Sequence, residues 1–176
     1  MNKNLKKIGF IGCGKMAGAI ISGIKSCTCA NHFELKGSEV NCEIAELAQN
    51  KLGIEVLTDN RFLTMDSDVI FIATKPNYVR NVLEEIKDEV NENKLIVSIA
   101  AGISTETILE IIPNARIIRV MPNTPALVKE GMFAVTKGEY AADEDVEFVM
   151  ELLSSIGKVI QVEEDQIDIV TAISGS

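Results

Sequence analysis

The sequence predicts an α/β domain: a Rossmann-type, mostly parallel twisted sheet with helices on both faces. Three observations predict it. Short apolar runs alternate with segments of helical period along the 176 residues. The run Val69, Ile70, Phe71, Ile72, Ala73 is continuously apolar, as a parallel strand buried on both faces requires. A glycine pattern, Gly12-x-Gly14-x-x-Ala17, stands between the first strand-like and the first helical segment.

Taken in order, residues 7–11 read as a strand and 16–26 as a helix with Met16, Ala19, Ile20 and Ile24 on one face. Residues 33–36 form a short second strand. Residues 42–52 form a helix with Ile44, Leu47, Ala48 and Leu52 inward, and 54–57 a third strand. Residues 68–74 hold the apolar run, and 78–90 are amphipathic. Residues 94–99 are the next strand, and Ser104 caps a helix that stops before Pro113. Residues 116–120 are a sixth strand and 132–136 a seventh. A helix over 143–154 and a strand over 158–162 follow, and Asp165 caps a last helix. Ile167, Val170 and Ile173 fall on one side of that helix, with nothing after them to cover it.

Composition narrows the function classes. Hydrophobic residues make up 47% and charged residues 24%, which suits a packed domain and excludes disorder. The net charge of −9 repels nucleic acid and anionic lipid, so neither is expected as a partner. No apolar run reaches membrane-spanning length, and the basic start lacks the form of a signal peptide, so the expected location is cytoplasmic. Cys13, Cys27, Cys29 and Cys42 form no C-x-x-C pair, and His32 is the single histidine. No metal site is expected, and Cys27 and Cys29 read as reduced thiols.

The glycine pattern carries chemistry. Gly12 permits a tight turn, Gly14 admits the backbone to a pyrophosphate, and Ala17 is small enough for close helix–strand packing. Free N–H groups at the helix start then face the anion. The pattern predicts a dinucleotide site, with Cys13 a small residue of the loop whose place at a helix N-terminus could lower its pKa.

An NAD site expects an acidic residue about 20 positions on, at the end of the second strand. Here the strand ends at Gly37-Ser38, with Lys36 before and Glu39 after. Lys36 and Ser38 point to NADP (as NADPH), and Glu39 keeps NAD open. Three further loops at strand ends provide small residues for a flat ring: Ala73, Thr74, Lys75 and Pro76; Ala100, Ala101 and Gly102; and the stretch around Asn123, stiffened by Pro122 and Pro125.

At these loops the sequence resembles the pyrroline-5-carboxylate reductase family. The matching segments are residues 8–14, Lys75-Pro76, residues 97–102, residues 119–128 (Arg-Val-Met-Pro-Asn-Thr-Pro-Ala-Leu-Val), Gly131-Met132 and the terminal Ser174-Gly175-Ser176. The resemblance covers the whole chain. It implies a dinucleotide-binding Rossmann domain over residues 1–164. Residues 165–176 would open a linking helix to a C-terminal helical domain that this chain lacks.

The resemblance also implies NAD(P)H-dependent reduction of Δ1-pyrroline-5-carboxylate to L-proline, by hydride transfer to the C=N carbon, in a proline-synthesis enzyme. Ile11, Gly12, Cys13, Gly14, Lys15 and Met16 would cradle the pyrophosphate. Ser38 would meet the 2′-phosphate and Asn60 the adenosine ribose. Ala73 to Pro76, with Ala100 and Ala101, would line the nicotinamide.

The proton donor, the substrate-carboxylate contacts and a homo-oligomer interface are expected in the absent domain, leaving this chain alone weakly active or inactive. Lys15 stands where the family has Asn or Gln, Ala17 where Gly is frequent, and Thr74 where Val is usual. Another imine or 2-hydroxyacid reductase, or a non-catalytic nucleotide-binding module, stays open on the residues alone.

Overall fold

The computed structural model describes residues 5–174. Among them, eight strands form one sheet: β1 (Lys6–Ile11), β2 (Phe33–Ser38), β3 (Glu55–Leu57), β4 (Val69–Ile72), β5 (Leu95–Ser98), β6 (Arg116–Met121), β7 (Gly131–Lys137) and β8 (Gly157–Gln161). Their spatial order is β3-β2-β1-β4-β5-β6-β7-β8. Every pairing is parallel except β6 with β7. The first six strands therefore follow the doubly wound order, with its reversal between β1 and β4.

Among the described residues seven α-helices connect and cover the strands: α1 (Lys15–Ser26), α2 (Cys42–Leu52), α3 (Asn60–Asp66), α4 (Pro76–Ile86), α5 (Thr105–Leu109), α6 (Asp143–Ser154) and α7 (Glu164–Ser174). The period-2 alternation of the strands divides the core in two. On one face Ile8, Phe10, Phe71 and Val97 meet Ile20, Ile21 and Ile24 of α1 and Val149 and Leu153 of α6. Phe10 and Phe71 stack there with ring centroids 4.7 Å apart. On the other face Ile11, Ile70, Ile72 and Ile96 meet Leu63 of α3, Val79 and Leu83 of α4 and Ile108 of α5. The expected helices on both faces are present.

Local signals placed the ends of several helices. The Ser104 side chain accepts from Thr107 N at the start of α5, as expected. Asn41 and Asp59 do the same for α2 and α3. Pro76 opens α4 at a position where its missing N–H costs nothing.

Four expectations are corrected. Helix α3 was not anticipated, because seven residues with only Leu63 and Thr64 buried show little periodicity. In α2 the buried side is Ala45, Ala48 and Leu52, while Ile44 and Leu47 are 40% and 66% exposed. The helix packs on edge strand β3, where Ala45 and Ala48 meet Val56. Cys27 and Cys29 are joined as a disulfide, since the turn after α1 brings their Cα atoms to 5.2 Å, within bridging reach.

The last helix is the fourth correction. Asp165 lies inside α7 and not at its cap. Ile167 is fully buried against Met121 and Ala134, with Val170 packed beside it, so this side is covered by the sheet itself. Side chains from 171 on, Ile173 among them, lie outside the described residues, as do Gly175 and Ser176. Glu164 pins α7 down: it accepts from Thr105 N at 2.8 Å and from the Thr105 hydroxyl, and pairs with the buried Arg119 at 3.3 Å.

Candidate functional site

In an open α/β sheet the crevice lies outside the strand C-termini where the order reverses. Here that point is the end of β1 against the end of β4, with Ile11 in register with Ile72. The glycine loop leaves β1 at this place. Gly12 has φ +89° and donates its N–H to Ser38 O at 3.0 Å. A Cβ on Gly12 would stand 3.0 Å from both C and O of Ala73, so backbone conformation and space both demand glycine.

Helix α1 then starts with Gly14 as its N-cap and no side chain capping it. Its first N–H groups are therefore available at the positive end of a 12-residue dipole. A Cβ on Gly14 would meet no protein atom within 4 Å. An open backbone at an uncapped helix N-terminus fits a pyrophosphate. Lys15 and Met16 form the first turn, with Lys15 exposed and Met16 half-buried against the core.

Cys13 has a different role from the one its position suggested. Its backbone N–H donates to Glu39 Oε1 at 2.7 Å. Its Sγ fills the space over Gly37, where a Cβ would collide with it. Burial, and then the Glu39 charge, push the thiol up to about 12. The lowering expected at a helix N-terminus is thus overturned, because desolvation dominates.

Strand β2 ends at Ser38, past the 33–36 core of its pattern and at the strand end used above to weigh the ribose contact. Glu39 is therefore the first residue beyond the strand. Ser38 is fully buried and donates its hydroxyl to Asn60 Oδ1 at 2.7 Å. Asn60 Nδ2 donates in turn to Glu85 Oε2 at 2.8 Å. Lys36 does not turn to this crevice: its Nζ pairs with Asp66 at 3.0 Å and with Glu34 and Glu55 at 3.3 Å each. The argument for NADP from Lys36 is removed by these three carboxylates.

A cavity of about 230 Å³ lies at the reversal point and brings together Ile11, Gly12, Ser38, Asn60 and Thr74, five residues anticipated from sequence. Glu39 and Glu85 also line it, and among the described residues no Lys or Arg does. Sequence reasoning weighed Glu39 by its distance from the glycine loop, as the residue that keeps NAD open, but did not count it among the cofactor-binding residues. Among the described residues, Thr74 Oγ1 is the buried side-chain polar atom with no hydrogen-bond partner. An orphaned hydroxyl in the crevice wall is unusual for a finished interior.

The remaining anticipated residues stand along the same sheet edge without lining that cavity. Ala73 donates its N–H to Ile11 O at 2.9 Å, joining the β4 end to the glycine loop. Lys75 is exposed as the N-cap of α4, followed by Pro76. Ala100 is buried, Ala101 packs beside Met121 and Ala134, and Gly102 turns at φ +72° after β5. Asn123 accepts from Met132 N at 2.9 Å, so its side-chain oxygen fastens the loop after β6 to the start of β7.

Comparison with known proteins agrees with the loops. The chain is 37% identical over 172 residues to the pyrroline-5-carboxylate reductase of Methanosarcina acetivorans, covering 97% of this chain and 64% of that protein. It superposes on the pyrroline-5-carboxylate reductase of Coxiella burnetii with a TM-score of 0.87 at 30% identity, covering 97% of this chain and 64% of that one. The pyrroline carboxylate reductase of Plasmodium falciparum, solved with NADP bound, gives a TM-score of 0.84 at 31% identity, with 98% and 63% covered. The chain thus spans just under two thirds of the length of these relatives. The family model described as NADP oxidoreductase, coenzyme F420-dependent, matches residues 7–102, more than half of the 176 residues, and the chain belongs to that family.

Proposed function

We propose that this chain is the dinucleotide-binding part of an NAD(P)H-dependent pyrroline-5-carboxylate reductase. The observation that supports it most is the convergence of the uncapped α1 N-terminus, glycine at positions 12 and 14, and three small-residue loops on one sheet edge. Similarity to reductases of that name over nearly the whole chain supports the substrate.

In this reading the pyrophosphate lies along the loop from Ile11 to Met16 and is held by the free backbone N–H groups at the start of α1. Ser38 and Asn60 shape the ribose end. Ala73 to Pro76, with Ala100, Ala101, Gly102 and Asn123, form the wall beside the nicotinamide. The bound cofactor supplies a hydride to the C=N carbon, and a proton reaches the nitrogen, so that an imine becomes the secondary amine of L-proline. The residues of this chain bind, orient and keep the reduced ring against one wall of the substrate space. No proton-transfer residue is assigned to it.

We place the dinucleotide-binding domain at residues 1–164. The helix that follows would lead to a helical domain carrying the proton donor and a homo-oligomer interface. The proposal is tested by following cofactor oxidation at 340 nm with pyrroline-5-carboxylate as substrate in the full-length reductase. Turnover is expected there, and little or none from residues 1–176 alone. A folded, full-length protein that binds the cofactor and gives no turnover overturns the reading.

A further inference from the structure

We propose that Glu39 sets the cofactor preference of this chain, favouring NADH over NADPH by placing a carboxylate where the adenosine ribose 2′-position must sit. The inference rests on the dinucleotide reading above and deepens it at one site.

Five observations converge. Glu39 is the first residue after β2, at the point where an acidic side chain can receive the two ribose hydroxyls. It is already aimed at the glycine loop, since its Oε1 accepts from Cys13 N at 2.7 Å. That bond holds the carboxylate beside the pyrophosphate cradle. A diol can donate to its remaining lone pairs, whereas a phosphate meets a like charge.

The other three observations concern what surrounds it. The cavity contains a second carboxylate, Glu85, and among the described residues no Lys or Arg to neutralise a phosphate dianion. Lys36, the one basic residue of β2, is held among Asp66, Glu34 and Glu55. Ser38, the other candidate for the 2′-phosphate, is fully buried and has committed its single proton to Asn60 Oδ1. What remains of its oxygen is an acceptor, which a phosphate oxygen cannot use. NADPH still shares the pyrophosphate and nicotinamide contacts, so it binds, but more weakly.

The test is calorimetric titration of the purified protein with NADH, NADPH, ADP-ribose and 2′-phospho-ADP-ribose, which needs no turnover. NADH is expected to bind at least about tenfold more tightly than NADPH, and ADP-ribose to show the same gap over its 2′-phosphate form. Glu39→Gln keeps an acceptor for Cys13 N and removes the charge. It should tighten NADPH, weaken NADH slightly and close the gap to about threefold or less. Glu39→Asp should keep the gap, and thermal melts of both variants report whether the fold is retained.

Equal or tighter binding of NADPH by the unaltered protein overturns the inference while leaving the dinucleotide reading intact. So does a gap that survives Glu39→Gln in a folded protein. Binding of none of the four ligands overturns both.

Discussion

The hydroxyl of Ser38 donates to Oδ1 of Asn60 across 2.7 Å, tying the end of β2 to the first turn of α3. Ser38 is fully buried, so this bond is made away from water. Ser38→Ala leaves an acceptor of Asn60 short of a partner and should cost about 1 kcal/mol. Urea unfolding should show a lower midpoint with an unchanged slope. ADP-ribose affinity should fall a few-fold as Asn60 and Glu85 lose their fixed geometry. No change in either quantity would show that the bond is incidental.

Thr74 gives the opposite sign. Its Oγ1 is buried with no partner, which carries a desolvation cost with nothing to offset it. Thr74→Val replaces the hydroxyl by a methyl of similar size. The free domain should gain about 1 kcal/mol, read as a rise in melting temperature. Dinucleotide affinity then reports whether that hydroxyl serves the ligand: a drop on Thr74→Val assigns it to binding, and an unchanged affinity assigns the cost to packing alone.

Acid stability should carry the signature of Asp66. Its carboxyl is held below its ordinary value, first by the hydrogen bond from Lys7 and then by that from Lys36. The unfolded chain therefore takes up the proton first as pH falls. This stabilisation is fully present above the ordinary carboxylate pKa and is lost as pH drops through the folded value. Asp66→Asn should destabilise the domain near about pH 7, with the difference from the unaltered protein shrinking towards about pH 3. A difference that is constant with pH would locate the effect in packing instead.

The two free cysteines should differ in reactivity. Cys42 is exposed, whereas the Cys13 thiol is pushed up to about 12 by burial. The thiolate is the reactive form, so Cys42 should be alkylated quickly under native conditions and Cys13 only on unfolding. Peptide mass mapping after brief iodoacetamide treatment distinguishes them. Rapid native modification of Cys13 would contradict the packing of its Sγ over Gly37.

Much of the fold was legible because it is built from local rules. The alternation of apolar runs and helical periods located all eight strands, and α6 was bounded to the residue by its pattern. The glycine loop was legible for a similar reason: the need for glycine at position 12 arises from its own φ and from the next strand over. Helix α3 was missed because a seven-residue helix has too few turns to show a face. The inward face of α2 was misread because hydrophobic size does not tell which side an edge strand will cover.

By itself the sequence determined the fold class, the edge of the sheet that carries the loops, and the family that those loops resemble. Each follows from periodicity or from residue types needed at fixed spacing. Only the tertiary structure decided what the polar side chains face. Lys36 is drawn away by three carboxylates, one of them, Asp66, from distant α3. Glu39 is turned onto Cys13 N, and Ile167 is covered by β6 and β7. A charge or an apolar side chain acts through the groups within a few ångströms of it, and those groups arrive from parts of the chain that spacing alone does not bring together.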